Sequence, residues 1–228
     1  MKQTRSRRWR GLVDGGLCAL LLVAPALASP AQAQVAAPAT AANATDTLAR
    51  LQQRVAQVAV LRGEFSQEKQ LQGFQHPLKS QGSLLVARDK GVLWSTRKPF
   101  PSELVLTRDR ILTRQADGRS RVEVDARTQP ALRSVNSMLF ALMSGDVQAL
   151  TARFNAQPSL LPGNAWQLQL TPRPGALTQA FVRITLEGDR FVRSVLIEEP
   201  NGDRTRLQFT NLRETPALLT ADEARRFD

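Results

Sequence analysis

The hairpin that decides the fold lies in residues 82–94, which read GSLLVARDKGVLW. Two runs rich in Leu and Val flank the turn Asp89-Lys90-Gly91, and short apolar runs bounded by turn residues are typical of β-strands. A turn this short joins strands that run in opposite directions. The stretch therefore predicts an antiparallel hairpin with strands over residues 81–88 and 92–96.

The same pattern recurs on both sides of this hairpin. Strand-like runs alternate with turns rich in Asp, Asn and Gly, and Asn201-Gly202 is the strongest of these hairpin signals. Further strands are predicted over residues 63–71, 104–107, 110–114, 121–125, 166–170, 182–186, 191–198 and 205–212. Consecutive hairpins form an antiparallel meander, so we expect a single antiparallel sheet.

Two segments break the strand pattern and predict helices. Apolar residues recur at three- or four-residue spacing from Asp46 until Gly63, which predicts an amphipathic first helix. A second helical stripe begins after Pro130 and continues to Phe154. The fold class is therefore α+β, with helices laid against an antiparallel sheet.

The helices against the sheet allow two arrangements. They fill the sheet face as ordinary core, or the sheet curves into an open half-barrel and the helices form a lid over an apolar cavity. Met138 and Met143 suit a lid, because flexible thioether side chains repack around different guests. The residue pattern leaves both arrangements open.

The first 33 residues have the pattern of an export signal. A run of Lys and Arg precedes an almost entirely apolar stretch over residues 11–28, and small residues lead up to Ala28 and Ala33. We expect cleavage after Ala33 or Ala28, function in the periplasm, a disordered linker over residues 34–45 and one domain over residues 46–228. An uncleaved anchor and a twin-arginine signal at Arg7-Arg8 are the alternatives.

The chain is strongly basic. Its 31 Lys and Arg residues against 20 Asp and Glu residues give a formal net charge of +11 at pH 7. Basic proteins favour anionic surfaces or acidic partners, and export from the cytoplasm argues against nucleic acid. The alternative is that the arginines only keep the surface soluble.

The residues offer no recognisable catalytic centre. His76 is the single histidine and Cys18, within the signal, is the single cysteine, which excludes a two-histidine relay and a cysteine metal site in the processed chain. Glu123 and Asp125 share a strand face, but nearby arginines favour a solvated charge ladder over an acid/base pair. We expect no enzyme activity, cofactor or metal. A hydrolase built around His76 or the Glu123/Asp125 pair is the less favoured alternative.

Three stretches, taken in order, resemble a known family. The first helix runs into LRGEFSQE at residues 61–68, GSLLVAR at residues 82–88 is followed by Trp94 and Pro99, and two hairpins close the chain over residues 181–209. This order is similar to that of the LolA family of periplasmic lipoprotein carriers. The resemblance implies an open half-barrel, closed by lid helices, whose apolar cavity shelters the acyl chains of a lipoprotein.

The resemblance also implies partners. An inner-membrane ABC-type release complex would load the carrier, and an outer-membrane receptor would unload it. The cargo would be an acylated lipoprotein, or in a divergent branch another amphiphile such as a glycolipid or a polyene ester. We expect the carrier to be a monomer.

One residue role follows from the resemblance and a set of lining residues from strand alternation. Arg88 matches a family arginine that ties the lid shut through hydrogen bonds to helix carbonyls, and a guanidinium has five donors for this task. Asp89 departs from the family pattern, which has proline there. The residues expected to line the cavity are Phe65, Leu84, Val86, Trp94, Leu104, Leu106, Met138, Leu142, Trp166, Ile184 and Phe209.

Overall fold

One antiparallel sheet dominates the computed structural model, which describes residues 39–107, 110–115, 120–125, 141 and 146–227. The helices are α1 (Ala39–Arg54), α2 (Val147–Thr151) and α3 (Ala221–Arg225), with a 3₁₀ helix at Ala176–Gln179. The strands are β1 (Val60–Gln70), β2 (Leu78–Ala87), β3 (Gly91–Lys98), β4 (Ser102–Leu106), β5 (Arg110–Gln115), β6 (Ser120–Asp125), β7 (Phe154–Leu160), β8 (Trp166–Pro172), β9 (Arg183–Gly188), β10 (Val192–Glu198) and β11 (Arg204–Arg213).

The sheet is open. Its eleven described strands follow the order β6-β5-β4-β3-β2-β1-β11-β10-β9-β8-β7, so the first and last strands of the chain are neighbours at its centre. β6 and β7 are the two edges and do not pair with each other. The predicted α+β class and open antiparallel sheet are confirmed. Residues 130–145 of the predicted second helical stripe lie outside the described residues, apart from Ala141, and α2 falls within the rest of that stripe.

The first helix differs from its prediction at both ends. It begins at Ala39, so residues 39–45 are helical and the linker prediction is wrong for them. The physical reason is composition, because alanine has the highest helix propensity and this stretch is rich in it. The helix ends at Arg54, and Gly63 lies within β1.

Strand β7 was not predicted. Phe154, placed by its spacing at the end of a helical stripe, is the first residue of this strand. The strand contains Pro158, which removes a backbone donor and is tolerated because β7 is an edge strand. Its burial alternates as expected for a strand with one covered face.

The two faces of the sheet carry separate apolar clusters, because successive side chains of a strand point to opposite sides. The inner face is the one against which Leu51 of α1 and Val55, the residue that follows α1, pack. Its buried strand residues are Phe65, Leu84, Val86, Val92, Leu106, Phe154, Trp166, Leu168, Leu170, Ile184, Leu186, Val192, Val195, Leu207 and Phe209. The opposite, outer face has a smaller cluster made of Val60, Leu85, Ala87, Leu93, Val105 and Leu112, covered by Leu219 and Phe227.

Candidate functional site on the inner face

Three aromatic side chains meet at the centre of the inner face. Phe65 on β1 lies opposite Phe209 on β11 in the strand register. The Phe65 ring stacks on Trp94 of β3 with centroids 3.7 Å apart, and Trp94 meets Phe209 edge-on at 6.2 Å. We call these residues the aromatic cluster. Phe65 and Phe209 are buried and Trp94 is partly buried, so the cluster forms the packed apolar centre of this face.

Gly82 makes room for the aromatic cluster. It is the β2 residue opposite Phe65. A Cβ atom at this position would lie 2.8 Å from Cε1 of Phe65 and 1.9 Å from the carbonyl oxygen of Ser95. A side chain would therefore push the Phe65 ring and strand β3 away. The glycine of the GSLLVAR stretch is needed for this close packing.

The other half of the inner face is fixed core. Trp166 on β8 is 1% exposed and Ile184 is fully buried. The indole Nε1 of Trp166 donates a hydrogen bond to the carbonyl oxygen of Asp189, at 2.6 Å. Gly188 lies opposite Trp166, and a Cβ atom there would be 2.7 Å from the indole ring. These contacts fix the orientation of the indole.

An apolar pocket lies where the chain passes from α1 into β1. It is small, with a cavity volume of about 30 Å³. Four of the residues singled out in the sequence, Leu84, Val86, Arg88 and Phe209, line this one pocket. The other lining residues are Val55, Ala56, Val58, Leu61, Phe191, Val192 and Leu212.

Arg88 is held at the rim of this pocket. Its backbone N–H donates to the carbonyl oxygen of Ala59 at 3.0 Å, and its guanidinium donates to the side-chain oxygen of Gln57. Both partners belong to the connection between α1 and β1. The lid carbonyls that the family role requires would come from residues outside the described ranges, so that role remains a prediction.

The structure brings most of the predicted lining residues together on the inner face. Seven are buried there: Phe65, Leu84, Val86, Leu106, Trp166, Ile184 and Phe209. Trp94 is partly buried against them, and Leu104, opposite Trp94, is also partly buried. Met138 and Leu142 lie outside the described residues. Contact of any of these residues with a cargo stays a prediction.

A match to a family model decides the classification. Residues 56–222 match the model of the outer membrane lipoprotein carrier protein LolA. The chain belongs to the LolA family. Proteins of this family are periplasmic carriers rather than enzymes. No curated protein matches the chain.

Several solved structures resemble this chain at low sequence identity. A LolA superfamily protein from Nitrosomonas europaea is 8% identical, with a TM-score of 0.44 over 81% of this chain and 97% of that one. A DUF1329 family protein from Desulfovibrio piger is 14% identical, with a TM-score of 0.45 over 78% and 94%. MucB from the Pseudomonas aeruginosa MucA/MucB complex is 20% identical, with a TM-score of 0.39 over 82% and 60%. Every score is below 0.5, so the family assignment depends on the family model alone.

The alternative catalytic residues do not assemble into a centre in the part of this LolA-family chain that the structure describes. His76 is exposed on the loop between β1 and β2. Glu123 and Asp125 lie on the edge strand β6, where Asp125 is opposite Arg110. Within the described ranges, no three His, Cys, Asp or Glu side chains are grouped so that they would hold a metal ion. The helices described there are also too short or too polar to cross a membrane.

The outer face of this LolA-family sheet holds a charged contact that the sequence analysis missed. Arg62 of β1 is buried, and its Nε and NH2 atoms donate to the two carboxylate oxygens of Glu223 at 2.7 Å each. The same guanidinium donates to the carbonyl oxygens of Pro216 and Leu218. The hydrogen bonds from Arg62 lower the pKa of Glu223 to about 2, against the cost of burial.

A second charged group fixes the end of α3 to the same face. Arg226 donates to the carboxylate of Glu103 on β4 and to the Ser95 hydroxyl at 2.9 Å. Arg114 donates to the carbonyl oxygen of Arg226 at 2.6 Å. Burial raises the pKa of Glu103, but hydrogen bonds from Arg226, Ser95 and Arg114 outweigh it and lower the pKa. The capping box of Thr220 and Glu223, visible in the sequence, would have predicted α3.

Proposed function

We propose that this protein is a periplasmic carrier that shelters the acyl chains of lipoproteins on its inner face and transfers them from the inner to the outer membrane. The supporting observation is the inner face itself. It is apolar across both halves of an open sheet, and it carries the aromatic cluster at its centre. Membership of a family of lipoprotein carriers gives that face its expected cargo.

The energetics suit an exchangeable apolar guest. An acyl chain in water is disfavoured by about 0.8 kcal/mol per CH₂ group, so a carrier must offer comparable burial. Apolar contacts have no required direction, and a chain that slides along the aromatic cluster keeps most of them. The cargo is therefore held by area rather than by a fixed set of hydrogen bonds, which leaves it free to be released.

Arg88 is the proposed control point for release. It lies at the rim of the apolar pocket and already holds Gln57 of the α1–β1 connection. Its five donors are enough to bind Gln57 and the carbonyl groups of a lid helix together. In this proposal, opening of the lid breaks the contacts of Arg88 and exposes the inner face to the cargo.

The proposal includes two partners. An inner-membrane ABC-type complex loads the carrier, and an outer-membrane receptor unloads it. Both follow from family membership and the direction of transfer. Neither requires catalysis by this chain, since the carrier only has to bind and release.

Native mass spectrometry tests the proposal. The processed protein is purified gently from its own periplasm, and bound material is extracted and sequenced or fragmented. We expect an acylated peptide or lipoprotein. A free glycolipid or polyene ester would replace lipoprotein by another amphiphile. Empty protein that also fails to bind a fluorescent fatty acid would overturn the carrier function.

A pair of substitutions tests whether Arg88 has a role in release that another exposed arginine lacks. Arg88→Leu should leave the fold intact and slow the release of acylated cargo to acceptor membranes or receptor. Arg97→Leu is the matched control, because Arg97 is 55% exposed and pairs with Glu64 on the outer face. Equal transfer rates in the two variants would remove Arg88 from the mechanism.

A further inference from the structure

The exposed apolar side chains are concentrated at one end of the sheet. Six large hydrophobic residues are exposed among those described. Four of them lie at the end where β1 stops and β2 begins: Phe74, Leu78, Phe100 and Val182. Phe100 is 81% exposed, Phe74 65% and Leu78 60%. Scattered apolar residues on a surface are ordinary, but several at one end indicate an interaction site.

The strand register brings three of these residues close together. Leu78 is opposite Lys69 in the β1–β2 pair, and Lys98 is opposite Gln81 in the β2–β3 pair. The β1–β2 loop, residues 71–77, and the β3–β4 turn, residues 99–101, therefore leave the sheet at the same end. Neighbouring strands are about 4.8 Å apart, and Leu78 lies three residues beyond Gln81 along β2, so the loop and the turn are offset by roughly 10 Å across the sheet and by about 10 Å along the strands.

The β1–β2 loop is built to present its apolar side chain outwards. The N–H of Gln72 donates to the Asp203 carboxylate at 2.9 Å, and the N–H of Phe74 donates to the carbonyl of Leu71 at 3.2 Å. The carbonyl of Phe74 accepts a hydrogen bond from the Gln70 side chain. These three backbone groups are satisfied within the protein, which lowers the cost of moving this part of the loop into an apolar medium.

The β3–β4 turn has the same property for a different reason. Phe100 lies between Pro99 and Pro101, and proline has no N–H to leave unpaired. The turn thus presents an exposed aromatic ring on a backbone with few donors. An exposed aromatic ring on a backbone with few donors suits a turn that enters the head-group region of a bilayer.

Lysines flank the apolar residues. Lys98 ends β3 next to Pro99, and Lys79 follows Leu78 and is 68% exposed. Lys79 also pairs with Glu68, which reduces its local charge, but residues 34–228 still carry 26 Lys and Arg against 19 Asp and Glu, a formal net charge of +7. Anionic lipid head groups attract lysines close to an inserted apolar residue, and they attract a basic protein over a longer range.

We propose that Phe74, Leu78 and Phe100, with Lys79 and Lys98, form a docking tip for the surface of an anionic phospholipid bilayer. The tip inserts its apolar side chains among the head groups while the lysines contact phosphate. It lies at the opposite end of the sheet from Arg88 and the apolar pocket. Docking goes beyond the carrier function, because an inner face that binds acyl chains does not require the protein itself to contact a membrane.

Vesicle flotation tests the tip. The processed protein is mixed with vesicles of phosphatidylethanolamine and phosphatidylglycerol, and the bound fraction is compared with that of the triple variant Phe74→Ser/Leu78→Ser/Phe100→Ser. Leu161→Ser/Leu218→Ser is the matched control, because it removes exposed apolar side chains elsewhere. We expect the triple variant to bind at least about tenfold more weakly and the control to bind like the parent.

Further readouts separate docking from folding and from cargo binding. The thermal midpoint and the affinity for a fluorescent fatty acid should be unchanged in the triple variant, because its substitutions are exposed and far from the pocket. Vesicles of phosphatidylcholine alone should bind the parent more weakly than the anionic vesicles. The proposed docking role is overturned if the parent does not float with anionic vesicles, or if the triple variant and the control bind them equally. It is also overturned if the tip substitutions reduce binding only when a partner protein is added.

Discussion

The two faces of the sheet are held together in different ways. The inner face is broadly apolar, and its central side chains, Phe65, Trp94 and Phe209, pack ring against ring. The outer face has a small apolar cluster bordered by charged hydrogen bonds, with Arg62 on Glu223 and Arg226 on Glu103. The inner face is stabilised by buried apolar area and the outer face by directional hydrogen bonds.

This difference assigns separate tasks to the two faces. Charged hydrogen bonds have a fixed geometry, so those on the outer face hold residues 216–227 in one position. Apolar contacts tolerate exchange, so those on the inner face can be replaced by contacts to an acyl chain. We therefore expect substitutions on the outer face to change stability and those in the aromatic cluster to change cargo binding.

The largest effect is expected from breaking the outer face at Arg62. Arg62→Leu removes the guanidinium from the Glu223 carboxylate, which keeps only the Thr220 N–H among its described donors, and from two backbone carbonyls, which should lower the free energy of unfolding by about 3 kcal/mol. Urea denaturation measures it, and proteolysis should show earlier cleavage after residue 214. Arg225→Leu is the control, since that exposed arginine pairs with Asp222 alone among the described residues, and its loss should cost less than about 0.5 kcal/mol. Similar losses in the two variants would contradict the account of the outer face.

The next largest effect is expected from acid, which should weaken the contact between Arg62 and Glu223 on the outer face. The pKa of Glu223 is lowered from 4.5 to about 2 by the hydrogen bonds from Arg62. Because the folded pKa is lowered, this carboxylate contributes stability above pH 4.5, and the contribution is lost as the pH falls towards 2, by about 2 to 3 kcal/mol. Urea unfolding of the parent and of Glu223→Gln is measured between pH 5 and pH 2. The free energy of unfolding should fall less steeply with decreasing pH in the variant than in the parent. Equal slopes would mean that this ion pair is not the source of acid sensitivity.

A smaller effect is expected where the inner face is most closely packed. Gly82→Ala places a Cβ atom against the Phe65 ring and the Ser95 carbonyl, which should cost about 2 kcal/mol and change the fluorescence of Trp94. Ser80→Ala, two residues earlier on the same strand, should be nearly neutral. A stable Gly82→Ala variant with unchanged fluorescence would show that the aromatic cluster does not depend on this glycine.

The smallest effect sharpens the comparison within the inner face. Trp166→Phe removes the donor to the Asp189 carbonyl and should cost about 1 kcal/mol of stability without changing the affinity for a fluorescent fatty acid. Trp94→Phe should lower the affinity for the fluorescent fatty acid with little change in stability, because Trp94 belongs to the aromatic cluster. Opposite results for the two tryptophans would move the cargo surface to the half of the sheet around β8.

The sheet was predictable because its signals are local. Alternating apolar residues and turns such as Asn201-Gly202 fixed ten strands to within a few residues of their observed bounds. Strand β7 escaped because Phe154 continued a helical spacing and Pro158 argues against a strand unless it is known to lie at an edge. The alanine-rich start of α1 escaped because linker and helix share that composition.

The outer face was not predictable because its contacts are distant in sequence. Arg62 and Glu223 are separated by 161 residues, and no local pattern pairs them. The inner-face residues were easier, since alternation alone places Leu84 and Val86 on one side of β2. The roles of Met138 and Leu142 stay predictions, because both residues lie outside the part of the chain that the structure describes.

Photolabelling tests the central claim most directly. A fatty acid that carries a diazirine near its methyl end is bound to the processed protein and irradiated, and the labelled residues are identified by mass spectrometry. The account predicts adducts on inner-face residues such as Phe65, Trp94 and Phe209, with alternate residues of each strand unlabelled. Labelling mainly at outer-face residues such as Leu85 and Leu93, or no saturable labelling, would contradict the claim that the inner face carries the cargo.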